Sequence, residues 1–186
     1  DDTFMTKLEN KDERASKLWG EILKTRLETG EPYIMFEDNI NNVNPEAYKK
    51  NNLNVSMTNI CSEISLYTDE LHSFICCLSS LNLVRWDEWK DFKFENGMTL
   101  PELTCWFLEG TLQEFIDRAK NIKFMENTVR SATKGRAIGI GVLGWHTYLQ
   151  SKNLPFVGIQ ASAHTRIIFD FIEKEALKAS RDQAEL

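Results

Sequence analysis

The sequence predicts an α/β fold built as one packed unit, with strands and helices alternating along the chain. Its 186 residues are 42% hydrophobic and 11% aromatic, enough apolar material for a core of ordinary domain size. Continuous apolar runs of strand length stand between segments whose apolar residues recur at helical spacing. That alternation favours a parallel sheet with flanking helices over a helical bundle, with about three strands to be counted.

Taken in order, Ala15, Leu18, Trp19, Ile22, Leu23 and Leu27 line one face of a helix, with Asp12 as its cap and Gly30 then Pro32 as its stop. "PYIMFED", residues 32–38, reads as a short strand. Residues 39–55 hold seven asparagines and a proline, which favours a loop. "FICCLSSLNL", residues 74–83, has the pattern of a strand buried on both faces. Thr99 and Glu102 form a capping box ahead of Leu103, Trp106, Phe107, Phe115, Ile116 and Ala119, which predicts a helix over residues 100–119. "RAIGIGVLG", residues 136–144, reads as a strand, and "WHTYLQ", residues 145–150, as the helix it feeds. His164, Ile167, Ile168, Phe171, Ile172 and Ala179 mark a last helix. No repeat or low-complexity tract interrupts the chain, so residues 1–186 are expected to lie in one domain without an internal boundary.

Charge and cysteine usage narrow the function classes. Twenty-eight acids against 22 bases give a formal charge of -6, and no basic window with interleaved aromatics offers a phosphate-backbone groove. Direct nucleic-acid binding is not expected. No apolar run approaches the ~20 residues of a membrane span, and "DDTFMTKLEN" lacks the regions of a signal peptide, so a cytoplasmic protein is expected. Cysteines 61, 76, 77 and 105 show neither the spacing of a secreted disulfide scaffold nor a C-x-x-C, which fits intracellular thiols. The chain begins without methionine and stops while a helical pattern still runs, as a piece of a longer protein would.

"TNICSEISL", residues 58–66, carries an amide, a thiol and a carboxylate at every second position: Asn59, Cys61 and Glu63. On an extended backbone these would share one face, with neighbours about 7 Å apart at ~3.3 Å rise per residue. Such a cluster could hydrogen-bond a substrate hydroxyl, take its proton and present a sulfur beside it. The sulfur could react as a thiolate or as a thiyl radical. A thiolate would want a histidine base, and none of His72, His146 or His164 is placed by sequence to serve Cys61. Taken alone, the triplet reads more readily as ordinary strand-edge residues.

The surrounding motifs extend the pattern. "TNICSEISL", then "CCLSSLNL", then "RAIGIGVLGW", together with the upstream "LWGEILKTRLETGEPYIMFEDNIN", resemble in order the large catalytic subunits of ribonucleotide reductases, over residues 18–179. The resemblance implies a ten-stranded α/β barrel threaded by a finger loop, of which this chain would supply the loop and a few strands and helices. It implies reduction of ribonucleoside diphosphates to deoxyribonucleotides, the DNA precursors, by radical chemistry. Cys61 would become the transient thiyl radical that takes the 3′ hydrogen of the ribose. Glu63 would accept the 3′ hydroxyl proton, and Asn59 would hold the hydroxyls. Thr58, Asn59, Ile60, Cys61, Ser62 and Glu63 would line the substrate site. Cys76 would be one of a redox pair of cysteines that supplies the electrons, its partner lying on another strand.

The same resemblance implies no cofactor bound by this segment itself. The radical would come from a separate metal-containing small subunit, and thioredoxin or glutaredoxin would restore the thiols. The remaining segments of the large subunit would be required, because the second redox cysteine, the phosphate-binding elements, the relay tyrosines, the C-terminal cysteine pair and the nucleotide-sensing domain have no counterpart here. The chain alone is therefore expected to be inactive. The alternatives are a non-catalytic assembly piece of a split reductase subunit and, further off, a cysteine hydrolase.

Other features read as structural. Cys77 and Cys105 fit buried small hydrophobes. "GIGVLG", residues 139–144, matches the letters of a dinucleotide fingerprint, but no acid follows until Asp170, and its glycines better suit close packing of a strand. His72 and Cys76 lack further metal ligands at conventional spacing.

Overall fold

The computed structural model describes residues 1–185. The chain divides into two compact units, Asp1–Cys76 and Cys77–Leu186.

The first unit opens with helices α1 (Asp2–Glu9) and α2 (Glu13–Thr29). As the sequence predicts, the Asp12 side chain accepts the Ala15 N–H at 2.8 Å, and Gly30 ends the helix in the left-handed conformation at φ 81°. Trp19 of α2 meets Phe4 of α1 with ring centroids 6.2 Å apart. Of the expected apolar stripe only Ala15 is buried, and Leu27 is 89% exposed. Residues 31–36 form no strand, because a strand needs a neighbour to satisfy its backbone and none pairs there among the described residues. The asparagine-rich stretch is not a plain loop. It contains the short helices α3 (Glu37–Asn42) and α4 (Glu46–Lys50).

The second unit holds strands β1 (Leu78–Asn82) and β2 (Gly139–Leu143), which pair in parallel with Leu78 opposite Gly139 and Asn82 opposite Leu143. Two strands, not three, form among the described residues, and each keeps one edge without a strand partner. β1 is shorter than the apolar run predicts, with residues 74–77 outside it, and Leu81 is its buried residue. Between the strands lie a 3₁₀ turn (Leu83–Arg85), α5 (Trp86–Trp89), α6 (Leu100–Ala119) and α7 (Glu126–Gly135). After β2 come α8 (Trp145–Ser151) and α9 (Ile159–Ala184).

The α6 boundaries follow from its capping box: the Thr99 N–H donates to Glu102 at 2.7 Å, and Pro101 occupies the first turn, where its missing N–H costs nothing. Lys178 of α9 also reaches Glu102. The core gathers Leu81, Leu83, Trp86, Trp89, Leu149 and Ile168, with Trp86 edge-on to Trp89 and to Phe171 at 4.7 and 5.5 Å. Gly139 and Gly141 sit inside β2, paired with β1, and not in a loop between strand and helix. Gly144 follows the strand at φ 76°, where a Cβ would come within 2.7 Å of Val84 Cγ2, so the turn into α8 requires glycine.

Candidate active site

The finger loop is held by side-chain amides of the stretch that precedes it. Asn41 treats Val55 as a strand neighbour would: its Oδ1 accepts the Val55 N–H at 2.8 Å and its Nδ2 donates to the Val55 carbonyl at 2.9 Å. Asn44 donates to Asn41 Oδ1 at 2.8 Å. Val55 is fully buried. One residue earlier, the Asn54 carbonyl accepts the Thr68 N–H at 3.1 Å, which joins the two arms of the loop at a neck.

Beyond the neck, the Thr58 hydroxyl donates to the Ile64 carbonyl at 2.7 Å and the Ile64 N–H donates to Asn59 Oδ1 at 2.9 Å. The chain then reverses in a tight turn, closed by the Ser62 N–H donating to the Asn59 carbonyl at 2.9 Å, with Ser62 at φ 67°. This corrects the extended reading of residues 59–63. A turn spends Asn59 Oδ1 on the backbone and lifts Cys61, Ser62 and Glu63 to an exposed tip, while Thr58 and Asn59 stay half-buried. Ile60 is exposed as well.

Cys76 returns to the tip from thirteen residues downstream: its Sγ lies 3.9 Å from Glu63 Oε1, a weak thiol hydrogen bond. Loss of surrounding water, then the charges of Glu63 and Cys61, push the Cys76 thiol up from its ordinary pKa. Cys61, Glu63 and Cys76 therefore form one exposed group of two thiols and a carboxylate. Cys77 and Cys105 are buried. Cys77 Sγ contacts the Leu108 carbonyl at 3.5 Å, and burial raises the Cys105 thiol, followed by the nearby Glu102 charge.

None of the three histidines bonds to Cys61 among the described residues. His72 is held by Asp69 at 2.8 Å, His164 by the Tyr148 hydroxyl at 2.9 Å, and His146 lies edge-on to Phe156. The described residues contain no group of three or more His, Cys, Asp or Glu placed to hold a metal ion, and no helix long and apolar enough to cross a membrane. Sequence spacing missed two parts of the site. Asn41 carried no signal, because its role depends on a partner fourteen residues away, and the approach of Cys76 to Glu63 depends on the turn.

Residues 3–186 match the family model described as ribonucleotide reductase, barrel domain. The chain belongs to the ribonucleotide reductase family. Within that family it is 39% identical over 168 residues to a Frog virus 3 protein named a putative ribonucleoside-diphosphate reductase large subunit, covering 90% of this chain and 29% of the viral one. A large subunit from Invertebrate iridescent virus 3 is also 39% identical, over 93% of this chain and 26% of that protein. Among solved structures, the Actinobacillus ureae class Id ribonucleotide reductase alpha subunit superposes with a TM-score of 0.83 at 39% identity, covering 98% of this chain and 34% of that one. This ribonucleotide reductase chain thus spans between a quarter and about a third of these relatives, and its helices with one parallel strand pair are a partial α/β barrel of the family type.

Proposed function

We propose that this chain is the finger-loop part of a ribonucleoside-diphosphate reductase catalytic subunit, and that its loop tip reduces the ribose of a nucleoside diphosphate. The observation that carries the reading is the exposed grouping of Cys61, Glu63 and Cys76 on a loop whose shape the chain's own amides fix. In this reading Cys61, as a thiyl radical, takes the 3′ hydrogen, and Glu63 accepts the 3′ hydroxyl proton. Asn59, its Oδ1 occupied by the Ile64 N–H, keeps its Nδ2 amide to donate to the ribose oxygens. Cys76 and a second thiol of the subunit supply two electrons by closing a disulfide.

The radical on Cys61 would be supplied by a separate metal-containing small subunit. Thioredoxin or glutaredoxin reduces the disulfide, and a cytoplasmic setting keeps these thiols in use. The test joins this chain to the remaining large-subunit segments and a radical-generating small subunit, and assays deoxyribonucleotide formation. Wild type is expected to turn over and Cys61→Ser to lose all activity. A Cys61→Ser variant as active as wild type refutes the radical assignment, and inactivity of every combination favours an assembly role.

A further inference from the structure

A hydroxyl group has one proton to donate, and in the second unit one hydroxyl stands between two buried carboxyl groups. Thr99 Oγ1 lies 3.0 Å from Glu102 Oε2 and 3.1 Å from Glu175 Oε2, joining the start of α6 to α9. It can donate to only one of them at a time. We propose that Glu175 is un-ionised in the folded chain at neutral pH and donates its own proton to Thr99 Oγ1, so that α6 and α9 are joined by a proton-dependent latch.

The surroundings decide which carboxyl group keeps the proton. Burial alone would raise Glu102, yet Lys178 and the Thr99 donors hold it below the ordinary glutamate range. Its Oε2 accepts the Thr99 N–H at 2.7 Å as well as the hydroxyl, and its Oε1 meets the Lys178 ammonium. Glu102 is therefore the ionised partner, and the Thr99 hydroxyl proton goes to it. Glu175, 9% exposed, keeps only a distant cation: Lys174 Nζ lies 4.0 Å from Oε1 on a side chain that is 82% exposed, where water screens its charge. Lys178 also feels the Glu175 charge, but its ammonium is spent on Glu102. The other groups facing the pair are Cys105 on α6, whose thiol is raised by burial and then by the Glu102 charge, and Asp182 on α9, whose charge acts on Lys178. Neither brings positive charge to Glu175. Two oxygens facing each other at 3.1 Å without a proton between them would repel, and a proton on Glu175 turns that contact into a hydrogen bond.

The latch responds to pH in one direction. In the unfolded chain Glu175 meets water and ionises near the ordinary value of about 4.3. At neutral pH the folded chain then binds one proton more than the unfolded chain, so the stabilisation is complete in acid below about 4.3 and is lost as pH rises. Loss of the proton sets two carboxylates against one hydroxyl proton and loosens α6 from α9.

Carboxyl carbon-13 NMR of the 186-residue chain, labelled in glutamate, reads the protonation state without any variant that must fold, and Glu175→Gln serves only to assign the signal. The expected signal at neutral pH is that of a carboxylic acid, turning to that of a carboxylate in more alkaline solution. A carboxylate signal at neutral pH overturns the proposal. Melting curves give a second reading. Glu175→Gln keeps a donor for Thr99 Oγ1 and has no charge to gain, so it should melt about 2–4 °C above wild type at neutral pH and together with wild type in acid below about 4.3. A variant that melts at or below the wild-type temperature at neutral pH overturns the proposal, since an ionised Glu175 held by Lys174 would give that result.

Discussion

Replacing Asn41 by alanine removes the amide that stands in for a strand beside Val55. Both bonds to Val55 disappear, the Val55 N–H to Asn41 Oδ1 at 2.8 Å and Asn41 Nδ2 to the Val55 carbonyl at 2.9 Å, along with those to the Glu37 carbonyl and from Asn44. Because Val55 has no exposed surface, water cannot replace either partner without opening the neck. An unsatisfied buried polar group costs about 1–3 kcal/mol, so two cost about 2–4 kcal/mol once the neck relaxes partway. Amide hydrogen exchange at Val55 reports this directly, since its N–H is one of the two groups affected. At about 1.4 kcal/mol per factor of ten, exchange should accelerate by about 30-fold to 1,000-fold in Asn41→Ala. Amides of α6 should keep their wild-type rates. Val55 exchange within threefold of wild type would refute the claim that Asn41 holds the neck.

Two further outcomes concern the second unit. Leu149 is fully buried in its core, so Leu149→Ala should cost about 2–5 kcal/mol and lower the thermal midpoint of the chain, whereas a loss under 1 kcal/mol would mean the core collapses around the gap. Glu102 is 3% exposed, and although burial alone would raise its pKa, Lys178 and the Thr99 donors bring it below the ordinary glutamate range. A depressed folded-state value adds stability that is complete above the unfolded value of about 4.3 and is lost as pH falls through the folded one. Glu102→Gln, which keeps the cap acceptor, should therefore melt lower than wild type at neutral pH and converge with it in acid; parallel curves at all pH values would refute this.

Helices with their own punctuation were legible in the sequence. Asp12 and Gly30 bound α2, and Thr99 with Glu102 starts α6 at the expected residue, because caps act within one turn of the chain. β2 and α8 were legible for a similar reason: Gly144 marks the break between them. Elements that depend on distant partners were not. Residues 31–36 have a strand's composition but no strand beside them, and α7 has too few apolar residues for its period to stand out. The candidate site divides in the same way. Its motif was readable as text, while the turn through residues 59–62 and the amide support from Asn41 and Asn44 are set by hydrogen bonds that no spacing rule encodes.

The parallel pair of β1 and β2 has a consequence for how this molecule grows. Each outer margin of that two-stranded ribbon carries a row of amide and carbonyl groups that no strand pairs among the described residues, and both rows run in the same chain direction. A strand arriving on either side finds its polarity and spacing already dictated, and the ribbon acts as a template from which a curved wall extends both ways. The same open margins would let two copies zip together, so salts or charged edge substitutions that discourage such zipping should keep the chain dispersed in solution.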